Sequence, residues 1–303
     1  MKQILFPEDL NGYRQTWIWA VPVLVFVLFM LGQLLVLLPA DALGLVSKET
    51  VETYPTVLYL IIGSFTMVAL LFILWIKLFE RRSLGGVGLV VDHRTNKFYL
   101  RGYALGLLMG AAAVCGIFLF NGYIVEAGAS LTAQNLVPIL ILMFAFILQS
   151  GTEEMVFRGW MMGRISARYG IWAGILGNSV LFTLMHVEIG GSGTTSPVMM
   201  VLFTLMTLMF SIFLSLLVIR EKSIWGASAW HAAWNWIFIT WFGLPTTGIE
   251  LGLRPLIVDL EVSETAPEWL TGGVAGPEGS IVTLIILTLG CLVLLRRGTK
   301  HTG

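Results

Sequence analysis

The sequence predicts an all-α polytopic membrane protein with about eight transmembrane helices. Hydrophobic residues make up 57% of the 303 residues and charged residues only 12%, about half the charged fraction of a soluble domain. The mean hydropathy is +0.86, and apolar runs recur near the ~20 residues that a helix needs to cross a bilayer. A chain so poor in charge cannot cover a water-facing surface. The composition therefore excludes a cytosolic enzyme, a secreted domain and a disordered protein.

Eight apolar runs are long enough to be assigned as spans. We predict them at residues 17–38, 57–79, 103–124, 136–156, 171–189, 197–219, 224–244 and 281–295. The fifth and seventh runs are the least apolar, because they carry Asn178, His186, His231 and Asn235. The first run is longer than the apolar core of a signal peptide, which has about 7–15 residues, and no small-residue cleavage site follows it. We expect it to be retained.

Lysine and arginine predict the orientation of these spans. All but Lys48 and Arg254 of the 18 basic residues fall on one side, including Arg158, Arg164 and Arg168 in an expected loop between spans four and five. Because cytoplasmic loops are enriched in Lys and Arg, we predict that both termini are cytoplasmic and that the protein is a multi-pass protein of the cell membrane. An error of one span would scramble this asymmetry, so the asymmetry supports the count of eight.

Polar residues divide the chain into three regions. Residues 1–102 form a two-helix region with a basic cytoplasmic loop, and residues 103–244 form a core that carries the motifs described below. Residues 245–303 form an acidic external loop, roughly 245–280, and the last span. We expect that loop to be irregular, because prolines recur along it.

The charge balance and the cysteine content limit the classes of partner and ligand that we expect. The 18 Lys+Arg balance the 18 Asp+Glu, which removes the basic excess that a nucleic-acid partner needs. The two cysteines lie inside apolar runs and lack the spacing of a zinc site. The expected partners are therefore the lipid bilayer and a substrate, and the sequence predicts no oligomeric state.

The first motif lies at the end of span four. A charged residue in a span is costly and is a functional hypothesis by default. Glu154 and Arg158 are spaced to pair at i,i+4 on a helix. Glu153 is rotated by ~100° from its neighbour, so we expect it to face elsewhere and to remain free as a general base. The alternative is a charged helix end at the headgroup level.

Two further motifs lie in spans five and seven. Phe182 and His186 form an FxxxH pattern, and the alternative for this histidine is a packing residue that bonds a carbonyl. His231 and Asn235 lie one turn apart on one face and offer two donors to a developing oxyanion. Their alternative is an interhelical hydrogen-bond pair.

Together these residues supply a base, an orienting group and two donors, which are the parts needed to hydrolyse an amide. No serine or cysteine adjoins His186 or His231 in the sequence. An activated water is therefore the more economical nucleophile.

EExxxR at 153–158, followed by Gly159, FxxxH at 182–186 and HxxxN at 231–235 occur in this order on late spans. They resemble the CPBP family of CAAX-protease and bacteriocin-processing proteins, which includes the Abi and Rce1-like intramembrane proteases. The resemblance covers roughly residues 103–244. It implies a glutamate-dependent intramembrane endopeptidase that needs no cofactor and acts on membrane-associated or C-terminal, CaaX-like protein substrates.

The resemblance also implies roles for individual residues. Glu153 would activate water, and His186 would help to position it. His231 and Asn235 would form the oxyanion hole, and Glu154 and Arg158 would support them.

Three alternatives remain open. A metal-dependent version would bind zinc through Glu153, His186 and His231, but the spacing lacks HExxH, so we prefer the metal-free version. A non-catalytic scaffold or immunity-type protein would keep the fold without turnover. A transporter would show repeated halves, which the sequence lacks.

One expectation conflicts with these roles. At 1.5 Å per residue, counting from the cytoplasmic edge places His186 roughly 20 Å deep, far from Glu153. Strong tilt, a fifth span that starts outside the membrane, or a water-filled cavity would reconcile them.

Overall fold

The structure is a computed structural model that describes residues 5–6, 14–47, 50, 53–129, 132–191 and 196–298. Within these residues the chain forms ten α-helices and two short strands. They are α1 Ala20–Ala42, α2 Tyr54–Leu74, α3 Thr95–Leu119, β1 Tyr123–Gly128, α4 Ala133–Glu154, α5 Met162–Tyr169, α6 Ile171–Gly191, α7 Pro197–Glu221, α8 Trp225–Phe242, β2 Val258–Val262, α9 Glu268–Thr271 and α10 Ile281–Gly298. Two π-helical segments, Trp75–Phe79 and Met155–Met161, continue α2 and α4.

The protein is an integral multi-pass membrane protein, and the all-α prediction is confirmed. In the described part of the chain, six helical stretches are long and apolar enough to cross a membrane: α1, α2, α3, α4 with α5, α7, and α10 with the turn before it. Residues 171–186 of α6 form a shorter apolar helix. The count of eight spans and the cytoplasmic termini stay predictions, and Lys48 lies outside the described residues.

The predicted end of span three is wrong. α3 ends at Leu119, and the chain then turns into β1 at Tyr123. The turn contains Asn121 with φ 58°, and the N–H of Gly122 bonds the carbonyl of Ile117. A left-handed residue of this kind closes a helix by bonding its last free carbonyls, so the apolar Ile124 belongs to a strand.

The predicted loop between spans four and five is also wrong. The helix continues without a break from α4 through Met155–Met161 and α5 to Tyr169, so Arg158, Arg164 and Arg168 are all helical. Arg158 is fully buried. Its charge is neutralised inside the bundle by Glu154, so it does not mark the end of a span.

The turn at Gly170 explains why the depth estimate for His186 fails. Gly170 has φ +93°, a conformation that favours glycine, and it reverses the chain between α5 and α6. Glu153 and His186 are almost equally distant from Gly170 along the chain, on opposite sides of it. Helix α6 packs back on α5 and on the π-helical segment before it, which brings these residues to one level.

Helix α8 lies at the centre of the bundle and carries the HxxxN motif. Sixteen of its 18 residues are buried, and it packs against α3, α4 and α7. A Cβ at Gly102 or Gly106 of α3 would clash with the backbone carbonyls of Gly226 and Trp230. Small residues thus let α3 approach α8 closely, and this packing sets the position of the helix that carries His231.

The segment after α8 is more ordered than predicted. β2 pairs antiparallel with β1, with a bulge between Val125 and Ala127. The Tyr123 hydroxyl donates to the carbonyl of Thr271 at 2.8 Å, and burial raises the pKa of this hydroxyl above its ordinary value. These long-range contacts connect the loop before α4 to the loop before α10.

The same segment also reaches into the bundle. The buried carboxylate of Glu278 accepts a 2.8 Å hydrogen bond from the Trp234 indole of α8. Its other oxygen accepts from the Thr246 and Thr247 hydroxyls and from the N–H of Thr247. This part of the predicted external loop is therefore packed inside the helical bundle. The division at residues 102 and 244 stays a prediction, and its first boundary falls inside α3.

Candidate active site

The four residues predicted to be catalytic line one cavity of about 200 Å³. α4 contributes Glu153, α6 contributes His186, and α8 contributes His231 and Asn235. Helices α1, α2 and α7, the turn after α8 and Glu278 complete the wall. The volume is ample for a water molecule.

Glu153 presents one carboxylate oxygen to the cavity. Its side chain is buried, and Oε1 accepts a 2.9 Å hydrogen bond from Nε2 of Gln149. Oε2 has no hydrogen-bond partner among the described residues. It lies 4.0 Å from Nε2 of His186 and 3.8 Å from Nε2 of His231. The structure thus brings the carboxylate and both imidazoles together, although the three come from separate helices.

Glu154 contacts the opposite edge of the His231 ring. Its Oε1 accepts hydrogen bonds from Nδ1 of His231 at 2.9 Å and from Nη1 of Arg158 at 2.8 Å. The expectation that Glu153 faces away from Glu154 is therefore wrong in one respect. The two carboxylates diverge by one helical step, but the His231 ring lies between them and meets both.

The hydrogen-bond partners assign the tautomers of both histidines. Nδ1 of His231 faces a carboxylate, and Nδ1 of His186 lies 2.8 Å from the carbonyl oxygen of Phe182. Each Nδ1 must therefore carry a proton, which leaves Nε2 as an acceptor in the neutral ring. One edge of His186 bonds a carbonyl, as the packing alternative predicts, and the other edge faces Glu153. Its role in positioning a water stays a prediction.

Aromatic side chains hold the polar groups in place. The His186 ring stacks on Phe182 with centroids 4.0 Å apart. The Arg158 guanidinium lies 4.4 Å from the centroid of that Phe182 ring, and Phe210 meets His231 edge-on at 4.9 Å. A cation over an aromatic face is stabilised by the ring quadrupole. These contacts keep the bases in an apolar surround.

Gln149 is a site residue that the sequence prediction missed. Oε1 of Gln149 accepts a 2.9 Å hydrogen bond from Nδ2 of Asn235, while its own Nε2 donates to Glu153. The predicted oxyanion donor is thus connected to the predicted base through one amide. The signal is an amide in an apolar run, one helical turn before Glu153.

The residues named in the zinc alternative lie slightly farther apart than the ligands of a tetrahedral zinc site, and metal dependence stays a prediction. Zinc holds N and O ligands at about 2.0–2.2 Å, which brings ligand atoms to within roughly 3.5 Å of one another. Glu153 Oε2 is 4.0 Å and 3.8 Å from the two Nε2 atoms. Across the described residues, no group of three or more His, Cys, Asp or Glu side chains is arranged to hold a metal ion.

Residues 135–237 match the family model described as Rce1-like, type II CAAX prenyl endopeptidase Rce1-like. The matched stretch contains Gln149 and all six residues predicted for the site, and it confirms the resemblance to the CPBP, Rce1-like family. The match supports an endopeptidase of the CAAX type, with membrane lipid and a peptide or protein substrate as partners. No curated protein and no solved structure matches the chain.

Proposed function

We propose that this protein is a metal-independent intramembrane endopeptidase of the cell membrane, in which Glu153 activates a water molecule. The observation that carries the proposal is the buried, unpartnered Oε2 of Glu153, which faces the Nε2 atoms of His186 and His231 at 4.0 Å and 3.8 Å. A buried carboxylate oxygen without a partner is costly. Its retention beside two acceptor nitrogens is typical of a site that binds a small polar reactant.

A water molecule fits the space between these groups. Water forms hydrogen bonds of about 2.5–3.0 Å, so one water can bridge atoms that are 4.0 Å apart. Glu153 and His186 both accept from this water, because Nε2 of His186 is the unprotonated nitrogen of the neutral ring. With both hydrogens engaged, the water directs a lone pair at the carbonyl carbon of a bound peptide.

In the reaction, one proton moves from the water to Glu153 and then to the leaving amine. The water oxygen bonds the carbonyl carbon as its proton moves to Glu153, and a tetrahedral oxyanion forms. Asn235 offers its second amide N–H to that oxyanion, while the first stays bonded to Gln149. Collapse of the intermediate breaks the C–N bond, and Glu153 returns the proton to the leaving amine.

His231 contributes to the oxyanion hole only when it is doubly protonated. Its Nδ1–H is bonded to Glu154, so a donor at Nε2 requires the imidazolium form. The anionic Glu154 stabilises this cation directly, and Arg158 holds Glu154 in place at 2.8 Å. In this way Glu154 and Arg158 contribute to charge stabilisation in the transition state.

The substrate class follows from the family and the location of the site. The description CAAX prenyl endopeptidase favours a peptide bond close to the C terminus of a membrane-associated protein. A cavity that lies between membrane-spanning helices fits a chain segment held at the bilayer.

The test is cleavage of a reporter by purified protein in lipid nanodiscs. The reporter is a fluorogenic peptide with a CaaX-type C terminus, made with and without a prenyl group. We expect Glu153→Gln to lower kcat by about 10³-fold, within the range for a general base, while the melting temperature changes little. Glu80→Gln, a buried glutamate outside the cavity, is the matched control.

Three results would contradict the proposal. Cleavage by Glu153→Gln within tenfold of wild type removes the proposed base. Cleavage that a chelator abolishes and zinc restores supports the metal-dependent version. Tight reporter binding without any turnover by the wild type supports a non-catalytic scaffold.

A further inference from the structure

Helix α1 carries a polar side chain that the proposed chemistry does not use. Gln33 lies in the middle of α1, which carries one other polar side chain, Asp41, in its last turn. Gln33 is exposed and has no hydrogen-bond partner among the described residues. An amide without partners in hydrocarbon costs several kcal/mol. A side chain retained at such a position is expected to pair with something that arrives from outside the protein.

Gln33 lies where two cavities meet. A groove of about 630 Å³ runs between α1 and α2 under the turn Gly248–Glu250. Gln33, Ile61, Phe65 and Ile249 line this groove and also the cavity that contains Glu153. The groove therefore adjoins the candidate active site.

The groove suits an apolar, extended chain. Its walls contain leucine, isoleucine, valine and phenylalanine side chains from α1 and α2. An extended peptide has backbone N–H and C=O groups that its own hydrogen bonds do not satisfy, and hydrocarbon offers them no partner. The amide of Gln33 presents one donor group and one acceptor side by side, which matches a peptide unit.

We propose that this groove is the lateral route by which an extended, apolar segment of a membrane-associated substrate enters the active site, and that Gln33 binds the substrate backbone at the junction. The identity of the occupant rests on the proposed function, because the groove shares four lining residues with the cavity that contains Glu153. The groove lies on α1, α2 and the turn after α8, all outside the matched residues 135–237.

Photo-crosslinking measures contact between position 33 and the substrate. A photo-crosslinking amino acid replaces Gln33 in the Glu153→Gln background, which prevents turnover, and the nanodisc contains the membrane-anchored reporter. The control replaces Leu31, which is also exposed on α1 but lines neither cavity. We expect at least tenfold more reporter crosslinked from position 33 than from position 31. Equal labelling from both positions overturns the route.

Kinetics separate this inference from the proposed function. We expect Gln33→Leu to raise KM about tenfold for the membrane-anchored reporter while kcat stays within twofold. A short reporter that lacks the apolar segment should show no change, and Leu31→Ala should behave as wild type. Wild-type cleavage with no effect of Gln33→Leu and no selective crosslink overturns the route alone. Selective crosslinking without any wild-type cleavage supports the route and overturns the protease.

Discussion

Two buried glutamates of this protein differ in how their oxygens are occupied. Glu80 is fully buried where the π-helical end of α2 meets the N-terminal segment. Its Oε1 accepts from the N–H and hydroxyl of Thr16, and its Oε2 accepts from the Trp160 indole at 3.0 Å and from Arg82 at 3.5 Å. Glu153 has one protein donor, on Oε1, and its Oε2 has none among the described residues.

The difference separates structure from chemistry. A buried carboxylate is tolerated when hydrogen bonds replace its lost hydration. Glu80 meets this condition and joins three segments of the chain, which is a structural role. Glu153 meets it only in part, and the remaining oxygen faces a cavity that also receives two histidine nitrogens. Other buried polar atoms also lack a partner among the described residues, but Oε2 of Glu153 differs from them in facing two histidine nitrogens.

The largest expected effect is loss of the cation that neutralises the site. Arg158→Met leaves the buried Glu154 without its ion-pair partner, and breaking a buried pair costs about 3–5 kcal/mol. We expect the free energy of unfolding in detergent to fall by this amount. The double variant Glu154→Gln with Arg158→Met should recover part of it. A loss of less than about 1 kcal/mol is what an exposed ion pair contributes. Such a result would contradict a buried ion pair between Glu154 and Arg158.

The next largest effect concerns the oxyanion donor. Asn235→Ala removes an amide aimed into the cavity, and loss of one such donor lowers kcat about 10²–10³-fold. Steady-state kinetics on the reporter should show the change in kcat with KM nearly constant. A change in KM alone would assign Asn235 to substrate binding.

Glu80→Gln tests the structural half of the comparison. The amide cannot accept all the hydrogen bonds of the carboxylate, and an unmade buried hydrogen bond costs about 1–3 kcal/mol. We expect the unfolding free energy to fall by this amount while kcat per folded molecule stays within twofold. A variant that keeps wild-type stability but loses cleavage would break the distinction between the two glutamates.

The smallest effect is expected at Gln149. Gln149→Met removes the amide between Asn235 and Glu153 and keeps the side chain's length. Asn235 and Glu153 still line the cavity in this variant. We therefore expect kcat to fall only about tenfold, equivalent to about 1.4 kcal/mol. Gln149→Glu should place a second charge beside Glu153 and lower kcat further. Unchanged turnover in both variants would remove Gln149 from the positioning network.

The sequence was most informative where the physics is local. Apolar runs located the helices, because every lipid-facing turn must be apolar. The pairing of Glu154 with Arg158 followed from i,i+4 geometry and is present at 2.8 Å. The histidines and Asn235 were found because polar groups in a span are costly.

Relations between distant parts of the chain could not be predicted. The bond between Glu154 and His231 spans 77 residues, and the level of His186 depends on where the helix before Gly170 ends. That helix continues past Arg158, whose charge is neutralised inside the bundle. Hydropathy carries no information about such an ion pair. Glu278 illustrates the same limit, since an acidic loop residue became a buried acceptor for Trp234.

The most direct test of Glu153 as a water-activating group is a cryo-electron microscopy map of the wild-type protein in a nanodisc, at a resolution that shows ordered water. We expect one water within about 3 Å of Oε2 of Glu153 and of Nε2 of His186 or His231. A protein donor bonded directly to that oxygen, or a metal ion coordinated by the three side chains, would contradict it.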